Sequence, residues 1–128
     1  MGYRSAMRLL LESDPRIHLV RGYGGGEIVI GDQHIRRPLI ITPQRLVLDW
    51  SASSLQQLTE MQLAALFALQ AEIVLLGEGQ IQATPSAWLR SSFRSHGVAL
   101  ECMNLGAACR TYNILANEER SVAAGLFP

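Results

Sequence analysis

The stretch "VLLGEGQIQATPSAWL", residues 74–89, decides how the chain folds. An apolar run, Ile73 to Leu76, meets Gly77-Glu78-Gly79, and helix-opening chemistry follows within a few residues. A short, almost wholly apolar strand is expected where both faces of a sheet are covered, so "EIVLLG" reads as a buried strand. Thr84 then reads as the cap of a helix with Pro85 in its first position. Trp88, Leu89 and Phe93 face inward on that helix and Gly97 closes it. The glycine turn invites comparison with a nucleotide cradle. A dinucleotide fingerprint needs a third glycine where Gln82 stands, and a helix that starts sooner. Glu78 places a carboxylate where a phosphate would lie, and the chain has no lysine to offset it. "GEG" is therefore read first as a flexible turn.

Downstream of that strand the chain alternates. "VALECM" (98–103) is the next strand, Asn104 caps a helix carrying Leu105, Cys109, Tyr112 and Leu115, and "SVAAGLF" (121–127) is a final strand of open direction. Upstream, Thr59-Glu60-Met61-Gln62 is a capping-box signature with Leu58 as its staple, opening a helix that ends near Gln70. The first third reads as β structure: "RIHLV" (16–20), "EIVI" (27–30), "HIRRPLII" (34–41) and "RLVLDW" (45–50). Short glycine-rich and proline-containing spacers favour antiparallel hairpins between them. Pro38 marks a strand edge, a bulge or a break, because it cannot donate to a ladder. This order implies a three-layer α/β fold. A mixed central sheet carries helices on both sides, and the N-terminal hairpins add an antiparallel β layer. Residues 1–128 form one domain, with 1–15 expected to be a flexible N-terminal segment.

The totals narrow the function. A chain of 128 residues with 48% hydrophobic content is long enough to bury a core. Eleven arginines balance eleven acids. Residues 1–50 hold two cations more than acids and residues 51–128 two fewer, an asymmetry too small to argue for nucleic acid. No apolar stretch approaches the roughly 20 residues that span a bilayer, so the expected place is the cytoplasm or the periphery of a membrane. The lack of lysine removes the P-loop lysine and Schiff-base chemistry and leaves arginine forks and backbone N–H groups for anions. Cys102 and Cys109 read as small buried hydrophobes, and His18, His34 and His96 match no ligand spacing, so neither a metal nor another cofactor is expected. His96 reads as a C-terminal cap, Asp49-Trp50 as a half-buried strand end, and Glu118-Glu119-Arg120 as a solvated connector.

In open α/β sheets ligands gather beyond the carboxyl ends of parallel strands. Two such ends are readable, at Gly77, Glu78 and Gly79 and after Met103 at Asn104, Leu105 and Gly106. If the strands are neighbours, their loops share a small crevice with helix-terminal amides aimed into it. Arg110 could clamp a carboxylate or phosphate there, with Tyr112 and Asn113 as further candidates of uncertain reach. No nucleophile elbow, metalloprotease helix or Cys–His pair close in sequence stands beside them.

With these elements in place, the chain over about residues 16–128 resembles a small α/β family of unknown function. That family includes a mitochondrial respiratory complex I assembly factor, a vertebrate adipogenesis-associated protein and many bacterial and archaeal single-domain proteins. The resemblance rests on "EIVLLGEG", "HGVALECMNLGAACRTYNILANEER", "SVAAGLFP" and "IVIGDQHIRRPLIITPQRLVLDW". Its specific part is "AACRTYN" followed by Leu115 and by Glu118 and Arg120. It implies a crevice near the glycine turn and the start of the last helix. It also implies protein partners such as respiratory or translocation-complex subunits, at or near the inner face of a membrane. Two departures stand out: Glu78 where the family commonly has a small hydroxyl residue, and Asn104-Leu105 where it commonly has Asp-Thr. Both remove polar groups that a shared reaction would need. Two functions stay open, a non-enzymatic interaction or assembly module and a small anionic-metabolite or enzymatic site.

Overall fold

A computed structural model of the chain describes residues 7–8, 16–80 and 84–128. Two sheets organise it. The first has the order β1-β2-β3-β4, antiparallel throughout, from Met7–Arg8, Val20–Gly24, Glu27–Ile30 and Gln33–Ile35. Between β2 and β3 lies Gly25-Gly26, both at positive φ, the backbone that a two-residue hairpin matched to strand twist requires. The second sheet has the order β6-β5-β9-β7-β8. Its strands are β5 (Leu39–Ile41), β6 (Leu46–Val47), β7 (Ile73–Glu78), β8 (Ala99–Met103) and β9 (Val122–Phe127). β9 runs parallel to β7 and antiparallel to β5, and β7 runs parallel to β8. The sheet is mixed, as the sequence implies, and the last strand lies at its centre, buried along its whole length.

Side chains alternate across this sheet and feed two cores. Leu39, Ile41, Leu75, Ala124 and Leu126 face helix α3 (Leu105–Asn117) together with Val20, Ile28 and Ile30 of the hairpin sheet. Ile40, Val74, Leu76, Ala123 and Phe127 face helices α1 (Glu60–Phe67) and α2 (Ala87–Ser95) and the 3-10 turn Leu55–Gln57. The hairpin layer and α3 therefore share one face of the central sheet, and the other two helices cover the opposite face. A full side chain buried in either core is worth about 1.5–3 kcal/mol, which is why both faces of β7 and β9 are apolar.

Local chemistry explains most element ends, and it also corrects several expectations. The capping box at Thr59 forms in both directions, with Thr59 accepting from Gln62 N–H and the Gln62 side chain accepting from Thr59 N–H. Pro38 is a break that sends β4 and β5 into different sheets. "RIHLV" is not the first strand of its hairpin: the ladder begins at Val20, because Val20–Gly24 is the segment that closes on Glu27–Ile30 across the glycine turn. "RLVLDW" contributes only Leu46–Val47. Trp50 is buried, its ring 5.4 Å from that of Phe127 and its indole N–H donating to Gln62 O. Helix α2 is capped by Ser86, whose hydroxyl accepts from Leu89 N–H, so Thr84 and Pro85 precede the helix. Leu89 and Phe93 are buried as expected, whereas Trp88 is 42% exposed on the flank of the helix. The expectation of flexibility over residues 1–15 lies outside the described residues, apart from the paired Met7–Arg8.

Candidate functional site

β7 and β8 are parallel neighbours with Gly77 opposite Met103, so their carboxyl ends open side by side. Leu105 N–H donates to Gly79 O at 2.9 Å and fastens the start of α3 to the glycine turn. Asn104 caps the helix through its side-chain oxygen, which accepts from Ala107 N–H at 2.8 Å, and its own carbonyl accepts from Ala108 N–H. The two loops are adjacent, but three of the amides that open α3 are already bonded within the chain. The expectation that these amides aim into an open hollow is corrected by that internal use.

The glycine turn is built for packing. A Cβ at Gly77 would overlap the Cβ of Ala108 and stand 3.3 Å from the Leu105 Cα. Gly77 is what lets α3 lie close on β7. Glu78 has a role that sequence reasoning did not supply. Its Oε1 accepts from Leu55 N–H at 3.1 Å, and Ser54, which precedes the 3-10 turn, makes no side-chain cap of its own. A carboxylate from β7 thus caps a turn twenty-three residues earlier in the chain.

Beyond these loops lies a cleft of about 640 Å³. Glu78, Gly79, Gln80, Asn104, Leu105, Gly106 and Arg110 line one side, the hairpin tip Tyr23–Gly26 the other, and Phe127 and Pro128 its end. Tyr23 is the cleft residue that the sequence reading missed. Its ring rests on Gly106, where a Cβ would meet the tyrosine hydroxyl at 2.7 Å, and its hydroxyl accepts from the Arg110 guanidinium. A glycine inside a helical pattern costs about 1 kcal/mol against alanine, so Gly106 was the available signal of a close approach.

Tyr112 and Asn113 are placed elsewhere, on the buried face of α3. Asn113 accepts from Val20 N–H at 2.9 Å and donates to Val20 O at 2.8 Å, replacing a ladder partner for β2. The Tyr112 hydroxyl donates to His18 O at 2.7 Å, and burial raises its pKa far above the usual phenol value. Of the nine candidate residues, Glu78, Gly79, Asn104, Leu105, Gly106 and Arg110 line the cleft. Gly77 lies beneath α3, and Tyr112 and Asn113 tie the helix to the hairpin sheet.

Both thiols are free and buried. Burial, with the Glu101 carboxylate adding to it, pushes the Cys102 thiol up to about 11. Burial pushes Cys109 up to about 12, with Arg110 pulling the other way. Both sit in the apolar cores, as their reading as small buried hydrophobes expects, and burial disfavours the thiolate. His96 Nδ1 lies 2.8 Å from Ser92 O at the end of α2 and its ring stacks on Phe67 at 3.8 Å, which fits its reading as a terminal cap. His34 and Arg36 flank the buried Glu27 carboxylate at 2.8 and 3.2 Å. Among the described residues no cluster of His, Cys, Asp or Glu is placed to hold a metal ion, and no helix is long and apolar enough to cross a membrane.

Comparison with known proteins then places this architecture. The chain is 28% identical over 127 residues to bovine NADH dehydrogenase [ubiquinone] 1 alpha subcomplex assembly factor 3, spanning 98% of this chain and 68% of that protein. It is also 28% identical over 103 residues to a 13 kDa major membrane protein of Francisella tularensis, spanning 79% of this chain and 83% of that one. A solved Xanthomonas campestris structure shares the fold with a TM-score of 0.79 and 32% identity, covering 93% of this chain and 92% of that one. Residues 20–127 match the family model described as protein of unknown function (DUF498/DUF598), and the chain belongs to that family.

Proposed function

We propose that the chain is a protein-interaction or assembly module whose partners are subunits of a membrane-associated complex, and that it works through its surfaces. One observation carries this reading: an alignment along 98% of the chain with an NADH dehydrogenase assembly factor. The local chemistry agrees with it. Apart from Arg110, the polar side chains singled out along β7 and α3 bond to backbone groups of the fold itself. Kinship with a protein described as a membrane protein supports work at a membrane periphery. The test is cross-linked capture with the tagged full chain from membrane fractions of its own cell, beside a deletion strain. Recovery of respiratory or translocation-complex subunits, with less assembled complex in the deletion strain, supports the module. Recovery of no such subunit, with normal assembly, overturns it.

A second reading takes its support from the cleft. Tyr23 steadies the Arg110 guanidinium at the rim of an open, glycine-walled space, and a bidentate fork so placed suits a carboxylate or phosphate. A thermal-shift panel of carboxylated and phosphorylated metabolites tests it. A ligand at 100 times its Kd adds about 2.7 kcal/mol, and Arg110→Ala should abolish that shift. A shift that survives the substitution moves the ligand elsewhere.

A further inference from the structure

Among the described residues the two sheets end in four edges, and β4 and β6 are poor templates for another strand. β6 is two residues long, and β1 is described over Met7–Arg8. β4 is three residues long, exposes Gln33 and His34, and runs on into Arg36, Arg37 and Pro38. Short strands, charges and proline are the usual means by which an edge avoids recruiting a neighbour. The edge at β8 is longer, has no proline, and carries a single charge, Glu101. Its five residues pair in unbroken parallel register with β7 and, among the described residues, with no other strand. Ala99 N–H donates to Glu72 O on the β7 side. Backbone direction alternates along a strand, so the peptide groups of Leu100 and Cys102 point away from the sheet. On the α3 side of β8, Ala99 and Glu101 are exposed, while Leu100 and Cys102 pack toward the α1–α2 layer.

We propose that the β8 edge, Ala99–Met103, is the docking site of the interaction module inferred above, a step that rests on that reading. Its occupant is an extended segment of a partner protein that adds a sixth strand. That segment brings a basic residue opposite Glu101 and, on either side of it, apolar residues that continue the face of Leu100 and Cys102. Main-chain hydrogen bonds supply the attachment in such strand addition, and alternate side chains supply the selection. Charge decides against a second copy of this chain. Two-fold pairing of β8 about Leu100, Glu101 or Cys102 sets the two Glu101 carboxylates directly or diagonally opposite, and like charges so placed are destabilising. A basic residue in the same position gains from the contact instead.

The experiment is an NMR titration of the full chain with capped five-residue peptides of alternating threonine and valine. One carries arginine at its centre and one carries glutamate. The arginine peptide should slow exchange of the Leu100 and Cys102 amides and bind about two- to five-fold more tightly than the glutamate peptide. Glu101→Arg should invert that order. Undisturbed Leu100 and Cys102 amides with both peptides, or an order that Glu101→Arg leaves unchanged, overturns the site. Concentration-dependent protection of the same amides in the protein alone assigns the edge to a second copy and overturns the proposed occupant. Capture of complex subunits that is undiminished in Glu101→Arg and Leu100→Pro keeps the module reading and removes this edge from it. Loss of capture in Glu101→Arg, whose exposed side chain leaves the fold intact, supports it.

Discussion

Helix α3 carries two sets of polar side chains less than a turn apart, and their surroundings differ completely. Asn113 is fully buried and exchanges two hydrogen bonds with the Val20 backbone across the interface with the hairpin sheet. Arg110 is exposed at the cleft, where its guanidinium donates to the Tyr23 hydroxyl. From the sequence both belong to "CRTYN" and both read as candidates for one crevice. Three residues apart, they stand about 60° from each other around the helix, so Asn113 enters the interface with the hairpin sheet and Arg110 lies at its rim. What distinguishes them physically is whether an unsatisfied backbone group waits opposite. β2 offers the peptide groups of Val20 to the buried face, and the segment just before it offers the carbonyl of His18. Polar residues on a central helix therefore divide into struts and surface, and burial with a backbone partner marks the strut.

The sharpest way to break this comparison is to remove the close fit on which both faces of α3 depend. Gly77→Ala should destabilise by about 3 kcal/mol, since the added methyl overlaps Ala108 and overpacking of this kind costs about 1–3 kcal/mol. Chemical denaturation checks it, and a loss below about 1 kcal/mol would mean that α3 can slide away from β7. Tyr112→Phe comes next. It deletes the hydroxyl that donates to His18 O, for about 1–1.5 kcal/mol, with no change in any property of the cleft. Alkaline pH gives a graded effect. The Cys109 thiol titrates near 9.0 when unfolded and about 12 when folded. Above about pH 9 the unfolded chain therefore holds fewer protons than the folded one, and stability falls as pH rises from 9 to 12. Cys109→Ala should flatten that part of the pH profile, whatever its own cost at neutral pH. Glu78→Gln is the smallest, about 0.5–1 kcal/mol, because an amide oxygen still accepts from Leu55 N–H but without the charge.

Legibility followed the range of the interaction. The buried strand Ile73–Glu78, the Thr59 capping box and the Asn104 cap are set within a few residues and were legible, and a break was one of three readings of Pro38. The cap of α2 was not legible, because Thr84 and Ser86 are both good caps two residues apart. Only the depth at which Leu89 and Phe93 enter the core chooses between them. The candidate site was legible as a meeting of two loops, since neighbouring parallel strands bring their carboxyl ends together. Its occupancy by the chain's own hydrogen bonds was not. Leu105 to Gly79, Leu55 to Glu78, Val20 to Asn113 and Arg110 to Tyr23 join residues between 23 and 93 positions apart, and no local pattern announces them. Gly106 held the one trace of Tyr23, a glycine spent inside a helix.

The division of α3 into a strut and an exposed face is tested most directly by urea denaturation of two single variants beside the parent at neutral pH. Asn113→Ala should lose about 2–4 kcal/mol, since it leaves both buried groups of Val20 without partners. Arg110→Ala should stay within about 0.5 kcal/mol of the parent, as substitutions at exposed positions generally do. Equal losses, or a larger loss for Arg110→Ala, would contradict it.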